Sequence, residues 1–314
     1  MTEAGAAFSN LTLTSQDGAL EAVFVPGAGM VGTSLRHRGD ELLGQRGGLE
    51  AYVAERKTMG IPLLYPWANR VGSRRFTVAG REVVVDPEQT PVRLDGDGLP
   101  MHGLLSAAEG WDVEHHDETS LSARFDFAAH EKLMAAFPFA HELRMEASLT
   151  GATLTIATTV HASAGSPVPI AFGFHPYLRL PGVRRSDWEV EIPVREQLRL
   201  DTRMLPTGER VAAHVASGRL DARTFDHAFA APPAGAPFVL AGGGRRIELA
   251  FHAGYPYAQV FAPAEDDVIA FEPMTAPTNA LVDGGPELPV LAAGDAYRAA
   301  FSITVGDLPA PAAG

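Results

Sequence analysis

Residues 145–160, MEASLTGATLTIATTV, decide the fold class of this chain. Apolar and polar side chains alternate on both sides of the segment 149–154, in which Gly151 allows a tight turn. Alternation with a period of two residues is typical of a strand that buries one face. A short glycine-containing gap between two such runs predicts that the strands pair as an antiparallel hairpin.

The same pattern recurs along the chain. Strand-like runs lie at residues 11–14 and 21–25, and further hairpins are predicted at 75–85 and 238–251. Strands separated by frequent turns favour a sandwich or barrel over alternating βαβ units. The best helix candidate, Ala128 to Ala136, is about two turns long because Pro138 follows. We therefore predict an all-β fold, a large antiparallel β-sandwich with few short helices.

Nothing in the sequence divides the chain into parts. The Pro-, Ala- and Gly-rich stretch 230–237 is interpreted as a surface loop between strands, and no repeat of 20–50 residues is visible. We expect a single domain over residues 1–307. The last residues, 308–314 (LPAPAAG), are predicted to form a disordered tail.

The composition of the 314 residues excludes several classes of protein. There is no cysteine, which excludes disulfides, thiolate catalysis and thiolate-bound metal centres. A net charge of −13 argues against a nucleic-acid partner, and no apolar stretch reaches the about 18 residues of a membrane-spanning helix. The opening residues MTEAGAAFSN lack the basic and apolar regions of a signal peptide. We expect a cytoplasmic protein with no membrane partner; the sequence carries no signal for an oligomeric state.

Several short motifs have simpler interpretations than the functions they suggest. Residues 27–32 (GAGMVG) match the dinucleotide pattern GxGxxG, but only seven residues separate Gly32 from the next turn, too few for the required helix. We interpret this motif as a glycine turn between two strands. The tripeptide 38–40 (RGD) is interpreted as a hairpin tip.

The histidine motifs do not predict a metal site. Neither His130-Glu131 nor His141-Glu142 is followed by the second histidine that the zinc motif HExxH requires. The pair His115-His116 is interpreted as a solvated charged edge. A histidine site assembled from distant segments stays open, but the prediction is that the protein needs neither metal nor cofactor.

Four segments place polar groups beside aromatic or glycine residues: 65–72 (YPWANRVG), 101–105 (MHGLL), 172–177 (FGFHPY) and 271–280 (FEPMTAPTNA). Asn69 and Arg70 beside Trp67 offer hydrogen bonds next to a flat apolar face, which is how sugars are generally held. Each segment also has a structural interpretation. A histidine in an apolar run can be a core residue, and a Glu beside Pro can simply end a strand.

Six segments together resemble a known family: Asn69-Arg70-Val71-Gly72 with Phe76 and the Gly80 hairpin, His102-Gly103 with Trp111, Phe137-Pro138-Phe139, Phe174-His175-Pro176-Tyr177, Asp226-His227-Ala228-Phe229 and Phe271-Glu272-Pro273-Met274-Thr275. They resemble motifs of the aldose 1-epimerase (galactose mutarotase) family and occur in its order. Leu178 stands where the family motif usually has Phe. The resemblance runs from about residue 13 to about residue 305.

The resemblance implies a galactose mutarotase-like supersandwich with a sugar cleft, and interconversion of the α and β anomers of a free aldohexose. It implies that Glu272 is the general base, that His175 is the general acid and that His102 contacts the sugar near its ring oxygen. The implied sugar-binding groups are Arg70 and Asp226. Opening a hemiacetal needs one group that takes a proton from the C1 hydroxyl and another that protonates the ring oxygen.

Asn69 and Trp67 are further candidate sugar contacts, on their chemistry alone. Asp226 can equally be a structural turn residue. In that case the nearby Asp201 and Asp221 are the alternative candidates for its sugar contact.

Three alternative functions stay open at this point. A hexose-6-phosphate 1-epimerase of the same fold would need arginines at the cleft rim, for which Arg74-Arg75, Arg179 and Arg184-Arg185 are candidates. A non-catalytic sugar-binding module would keep the fold without needing both Glu272 and His175. The third is an epimerase tuned to an unusual aldose, such as a sulfosugar or the end of a disaccharide.

Overall fold

A computed structural model describes residues 8–308, and strands dominate this part of the chain. In chain order the strands are β1 (Leu11–Thr14), β2 (Leu20–Val25), β3 (Val31–His37), β4 (Asp40–Glu41), β5 (Leu63–Leu64), β6 (Arg75–Val78), β7 (Arg81–Val84), β8 (Arg93–Leu94), β9 (Pro100–Met101), β10 (Asp112–His116), β11 (Ser120–Asp126), β12 (His141–Thr150), β13 (Thr153–Ala162), β14 (Val168–Pro169), β15 (Gly173–Phe174), β16 (Tyr177–Leu178), β17 (Glu189–Glu191), β18 (Glu196–Leu200), β19 (Pro206–Ala212), β20 (Gly218–Arg219), β21 (Phe225–Ala230), β22 (Phe238–Gly242), β23 (Arg245–Ala253), β24 (Tyr257–Ala262), β25 (Ile269–Met274), β26 (Val290–Leu291) and β27 (Ala296–Asp307).

The helices of the described residues are short. They are α1 (Gly48–Glu55), α2 (Glu131–Ala136) and α3 (Ala280–Asp283), with single 3-10 turns at Pro26–Ala28, Phe127–Ala129 and Arg185–Asp187. No helix within residues 8–308 has the length and apolar character needed to cross a membrane.

Two large sheets form the body of the fold. One has nine strands in the order β10-β11-β12-β13-β27-β23-β22-β17-β20, and the other has eight, with the path β19-β18-β21-β24-β25-β15-β5 and β16 paired to β25. The strand pairs within both sheets are antiparallel. The predicted all-β, antiparallel fold class is therefore confirmed.

The hairpin predicted from residues 145–160 lies at the centre of the nine-stranded sheet. Leu149 pairs with Leu154 across the turn. Alternate residues of β12 and β13 are buried, as the sequence alternation requires. The hairpins predicted at 75–85 and 238–251 are also present, as β6–β7 and β22–β23.

The two large sheets pack on one apolar core. Phe271 of the eight-stranded sheet stacks on Phe238 of the nine-stranded sheet, with ring centroids 4.9 Å apart. Phe174 and Phe301 are also in contact, with centroids 5.1 Å apart and ring planes tilted by 54°. All four rings are at most 1% exposed and belong to the main apolar cluster, which lies between the two sheets. Burial of this cluster supplies the largest share of the hydrophobic stabilisation of the fold.

Other predictions can be compared with the described residues. The GxGxxG motif is a turn between β2 and β3, as interpreted, and residues 38–39 form the turn between β3 and β4. The helix predicted over 128–136 is present only over Glu131–Ala136, because the Asp126 side chain accepts hydrogen bonds from Ala128 and Ala129 and caps the start of a separate 3-10 turn there. Extended His130 then separates that turn from α2. The predicted tail falls outside the described residues, apart from Leu308.

Candidate active site

Strand register brings His175 and Glu272 together. Gly173 of β15 pairs with Met274 of β25, and Tyr177 of β16 pairs with Ala270 of the same strand. His175 is midway between Gly173 and Tyr177, just as Glu272 is midway between Met274 and Ala270. The two side chains therefore meet, with His175 Nε2 at 3.2 Å from Glu272 Oε1.

The Glu272 carboxyl group is almost completely buried, at 1% exposure. Burial raises its pKa well above 4.5, the charge of Asp226 raises it further, and the charge of Arg70 opposes the shift. The second oxygen, Oε2, has no hydrogen-bond partner among the described residues. A buried unpartnered carboxylate oxygen costs free energy, which points to a site built for a ligand.

The His175 ring is buried as well, at 4% exposure. Burial lowers its pKa well below 6.5, and the charges of Arg46 and Arg93 lower it further. Burial therefore favours the uncharged form of each group, which is the protonated carboxyl of Glu272 and the neutral imidazole of His175.

Tyr177 fixes the orientation of the His175 ring. The two rings stack with centroids 4.0 Å apart and an interplanar angle of 16°. The Tyr177 hydroxyl lies 2.6 Å from the Thr58 hydroxyl and accepts a hydrogen bond of 2.9 Å from Arg46 Nη1. Arg46 in turn pairs with Asp266 at 3.1 Å. Tyr177, itself fixed by Thr58 and Arg46, thus holds the ring of His175, the candidate general acid.

His102 lies on a tight turn beside this pair. Its backbone is left-handed, with φ +63°, and its amide donates to the carbonyl of Asn69 at 2.8 Å. The His102 ring meets the His175 ring edge-on, with centroids 5.9 Å apart. Burial lowers the pKa of His102 to about 3, helped by nearby arginine charges, so its ring is neutral and offers a hydrogen bond.

Gly103 makes this turn possible. It has φ +71°, and a Cβ atom there would lie 2.1 Å from the carbonyl oxygen of Tyr65. Only glycine permits this approach of two backbones.

Arg70 is oriented by an acidic partner that the sequence reasoning missed. Its Nε lies 2.7 Å from Asp95 Oδ2, while Asp95 Oδ1 accepts from the amides of Asp97 and Leu99. Burial opposes ionisation of Asp95, but these amide bonds and Arg70 together lower its pKa below 3.8. Asn69, next in the chain, is buried with φ +51° and donates to Met274 Sδ at 3.2 Å.

Asp226 is hydrogen-bonded to Gln259, a neighbour of Glu272 that the sequence did not predict as a site residue. Gln259 of β24 lies directly opposite Glu272 of β25, and its Nε2 donates to Asp226 Oδ1 at 2.6 Å. Gln259 is 2% exposed, and its Oε1 has no partner among the described residues. Desolvation raises the pKa of Asp226 from its usual 3.8, although this residue is at the exposed edge of the group. A polar residue within the apolar run 257–262 was the available signal for Gln259.

Trp67 and the substitutes for Asp226 lie elsewhere. Trp67 is 1% exposed within the main apolar core, so its predicted sugar contact stays a prediction. Asp201 accepts from the amides of Arg203 and Leu205 in a turn. Asp221 lies in an exposed turn with φ +46°.

Most arginines proposed for a phosphate have structural partners. Arg74 donates to the carbonyl of Gly98. The others form these contacts: Arg75 with Glu82, Arg184 with Asp187, and Arg185 with the carbonyls of Asp221, Arg223 and Ala262. Within residues 8–308 no three His, Asp or Glu side chains are arranged to hold a metal ion.

The fold is a large antiparallel β-sandwich, and His175 and Glu272 are buried side by side on one of its sheets. The family model for aldose 1-epimerase matches residues 12–304, and the chain therefore belongs to the aldose 1-epimerase family. The protein YphB of Escherichia coli K12 is 29% identical over 120 residues, which are 37% of this chain and 36% of YphB. That match spans about a third of the relative.

Solved structures share the fold over nearly the whole chain. A galactose mutarotase-like protein from Clostridium acetobutylicum superposes with a TM-score of 0.79 at 17% identity, covering 93% of this chain and 94% of that one. The galactose 1-epimerase of Lactobacillus acidophilus gives 0.75 at 15% identity, covering 98% and 97%. At such identities the likeness is one of fold, the galactose mutarotase-like sandwich.

Proposed function

We propose that this protein is a mutarotase, an aldose 1-epimerase that interconverts the α and β anomers of a free aldohexose. The observation that carries the proposal is the 3.2 Å contact between His175 Nε2 and Glu272 Oε1. The ring oxygen and the C1 hydroxyl of an aldose are both bonded to C1. Groups that exchange protons with these two oxygens must therefore be neighbours, as this pair is.

The reaction starts from protonated His175 and ionised Glu272, so the bound sugar must offset the preference of the buried groups for their uncharged forms. In this state the Glu272 carboxylate takes the C1 hydroxyl proton while the imidazolium protonates the ring oxygen, and the C1–ring oxygen bond breaks. Rotation about C1–C2 in the open aldehyde presents the other face of the carbonyl group. Ring closure returns both protons and leaves the other anomer. Each well-placed acid or base contributes about 10²–10⁴-fold.

The other residues of the site hold the sugar. Arg70, aligned by Asp95, donates to sugar hydroxyls. Asp226 and the unpartnered Oε1 of Gln259 accept from hydroxyls, and neutral His102 lies beside the ring oxygen. These groups discriminate against sugars that leave a buried partner unpaired. Asn69 supports the His102 turn through its carbonyl group.

The test is polarimetry on freshly dissolved α-D-glucose and α-D-galactose, with and without the protein. We expect the wild-type protein to accelerate mutarotation, and Glu272→Gln or His175→Asn to lower kcat by about 10²–10⁴-fold. His161→Asn and Glu189→Gln, at exposed positions on the nine-stranded sheet, are the matched controls. Variants of the pair with near wild-type rates would contradict the assignment. Sugar binding by calorimetry without any acceleration would instead indicate a non-catalytic module.

A further inference from the structure

Arg93 is a partly buried arginine beside the His102 turn, and the mechanism described above does not use it. It lies on β8, where it pairs with Met101 of β9, and Met101 pairs on its other edge with Arg70. Directly paired residues of adjacent strands point to the same side of a sheet. Arg93 and Arg70 therefore project from the same side of this small sheet, with Met101 between them.

That side faces the His175–Glu272 pair. The charge of Arg70 acts on Glu272, since it opposes the rise in the pKa of that carboxyl group. The charge of Arg93 helps to lower the pKa of His102 and of His175. Both guanidinium groups are thus close enough to act on the buried groups of the site.

The two arginines differ in their partners. Arg70 Nε lies 2.7 Å from Asp95 Oδ2. The side chain of Arg93 has neither a hydrogen-bond partner nor an ion-pair partner among residues 8–308. A guanidinium group carries five N–H donors, and partial burial removes some of their hydration without a replacement. The donors of Arg93 are therefore available to a ligand of the site.

A row of directly paired residues runs from Glu272 toward Asp226. Gln259 pairs with Glu272, and Ala228 pairs with Gln259; these three residues form the Glu272 row. Asp226 is two residues before Ala228 on β21, so its side chain is on the same side of the sheet. Asp226 therefore marks one end of the site.

Arg93 marks the opposite end. In the eight-stranded sheet, β24 and β21 lie on one side of β25, whereas β15 and β5 lie on the other. Tyr65, directly after β5, pairs with Gly103, which places the turn at residues 101–103 and its neighbour Arg93 on this second side. A ligand bound at the pair thus lies between Asp226 and Arg93.

The charges of the site favour a neutral ligand. Arg70 is balanced by Asp95, and burial favours the uncharged forms of the pair. One cation, Arg93, and one anion, Asp226, stand at the two ends, and their charges cancel. Hydroxyl groups accept from a guanidinium group and donate to a carboxylate, so a polyol satisfies both ends.

We propose that Arg93 is a substrate-binding residue that determines specificity, because its guanidinium group donates two hydrogen bonds to neighbouring hydroxyls at the end of the sugar opposite Asp226. The inference rests on the proposed mutarotase function and deepens it. The planar fork of a guanidinium group matches two oxygens that lie side by side, as the hydroxyls of adjacent sugar carbons do. A sugar that lacks one of them leaves an N–H of Arg93 unpaired, which lowers its kcat/KM.

The experiment measures the coupling between Arg93 and single hydroxyl groups. The substrates are whichever of glucose and galactose the wild type turns over faster, together with its 2-, 3-, 4- and 6-deoxy derivatives. Each polarimetric rate is corrected for the uncatalysed reaction. In the wild type, removal of a hydroxyl that Arg93 binds should lower kcat/KM by about tenfold or more.

The Arg93→Met variant keeps most of the length of the side chain without its donors. It should lower kcat/KM for the parent sugar by about 10- to 100-fold, mainly through KM, because a contact to remote hydroxyls is the same in the ground state and the transition state. The deoxy sugars that lack a bound hydroxyl should then lose nothing further. The other deoxy sugars should keep the relative loss that they show with the wild type.

Two variants serve as controls. Arg199→Met should leave kcat/KM unchanged for every sugar, because Arg199 is an exposed arginine of β18 whose side chain also has no partner among the described residues. Arg93→Lys keeps the positive charge but not the fork, so it should recover only part of the loss. Full recovery in Arg93→Lys would overturn the inference, since charge alone would then suffice. The same relative loss for every deoxy sugar in the wild type and in Arg93→Met would overturn it as well.

Failure of the proposed function is recognised separately. If the wild type accelerates the mutarotation of no sugar, that function fails. Calorimetric titration of the wild type and of Arg93→Met with glucose, galactose and the deoxy sugars then tests the contact alone. Weaker binding by Arg93→Met, with no further loss for one of the deoxy sugars, still supports the assignment of Arg93. Equal binding by both proteins, or binding by neither, contradicts it.

Discussion

Replacing Gln259 by leucine should separate sugar recognition from folding. Gln259 lies between the two acidic groups of the site, opposite Glu272 across the strands and bonded to Asp226 at 2.6 Å. Leucine has a similar volume and no hydrogen-bonding group. The Gln259→Leu variant therefore removes the bond that orients Asp226, together with the buried unpartnered Oε1.

The expected loss of activity follows from that one bond. A hydrogen bond to a charged group contributes about 1.5–3 kcal/mol, which corresponds to about 10- to 150-fold in kcat/KM. Stability should move little or rise. The leucine removes a buried unpartnered oxygen, whose cost is about 1–3 kcal/mol, while water can replace the amide at exposed Asp226.

The assay is initial-rate polarimetry on the proposed aldose substrates, paired with urea denaturation of the same samples. Gln197→Leu is the matched control, because Gln197 is a partly exposed strand residue that pairs with Phe229 away from the Glu272 row. Near wild-type kcat/KM in Gln259→Leu would refute the role of Gln259. An activity loss that parallels a loss of stability would assign it a structural role instead.

Three further predictions concern the protonation of the pair, the partner of Arg70 and the His102 turn. Because burial lowers the pKa of His175 and raises that of Glu272, the pair gains a second proton only well below pH 6.5. Mutarotase activity, corrected for the uncatalysed rate at each pH, should therefore persist as pH falls through 6.5, and an acid limb near 6.5 would contradict this. Asp95→Asn should raise KM by about three- to tenfold with kcat little changed, because a neutral bond to Arg70 is weaker than a charged one; a fall in kcat alone would argue against it. Gly103→Ala should cost about 2–5 kcal/mol in urea denaturation, from its left-handed backbone and the clash with Tyr65. The control Gly165→Ala, with φ +78° and open space, should cost only about 1–2 kcal/mol, and equal losses would refute the clash.

The strands were predictable because the information that specifies them is local. Each alternating run, such as 145–160, indicates which of its side chains are buried, and a glycine or proline marks its end. The error at 128–136 has a local cause as well. The Asp126 side chain caps the 3-10 turn at Phe127–Ala129, and the extended backbone of His130 separates this turn from α2. An aspartate before a candidate helix predicts the cap, but not the break at His130.

The meeting of distant residues was predicted only through the family resemblance. His175 and Glu272 are nearly a hundred residues apart, and their contact depends on the register of β15, β16 and β25. Periodicity alone cannot supply that register, since a shift by one residue would turn Glu272 toward the core. Gln259 and Asp95 were missed for the same reason. Each acts through a neighbour that only the folded chain supplies.

Burial of the pair fits a reaction with no net change in protons. The proposed mutarotase takes one proton and gives one in each half of the cycle, so His175 and Glu272 end each turnover as they began. A catalytic group that must exchange protons with solvent benefits from being exposed. The His175–Glu272 pair needs no such exchange. Deep burial can therefore strengthen the contact of its acid and base with the sugar oxygens without slowing proton return. On this argument, a variant that opens the pair to water should lose rate even if both side chains keep their positions.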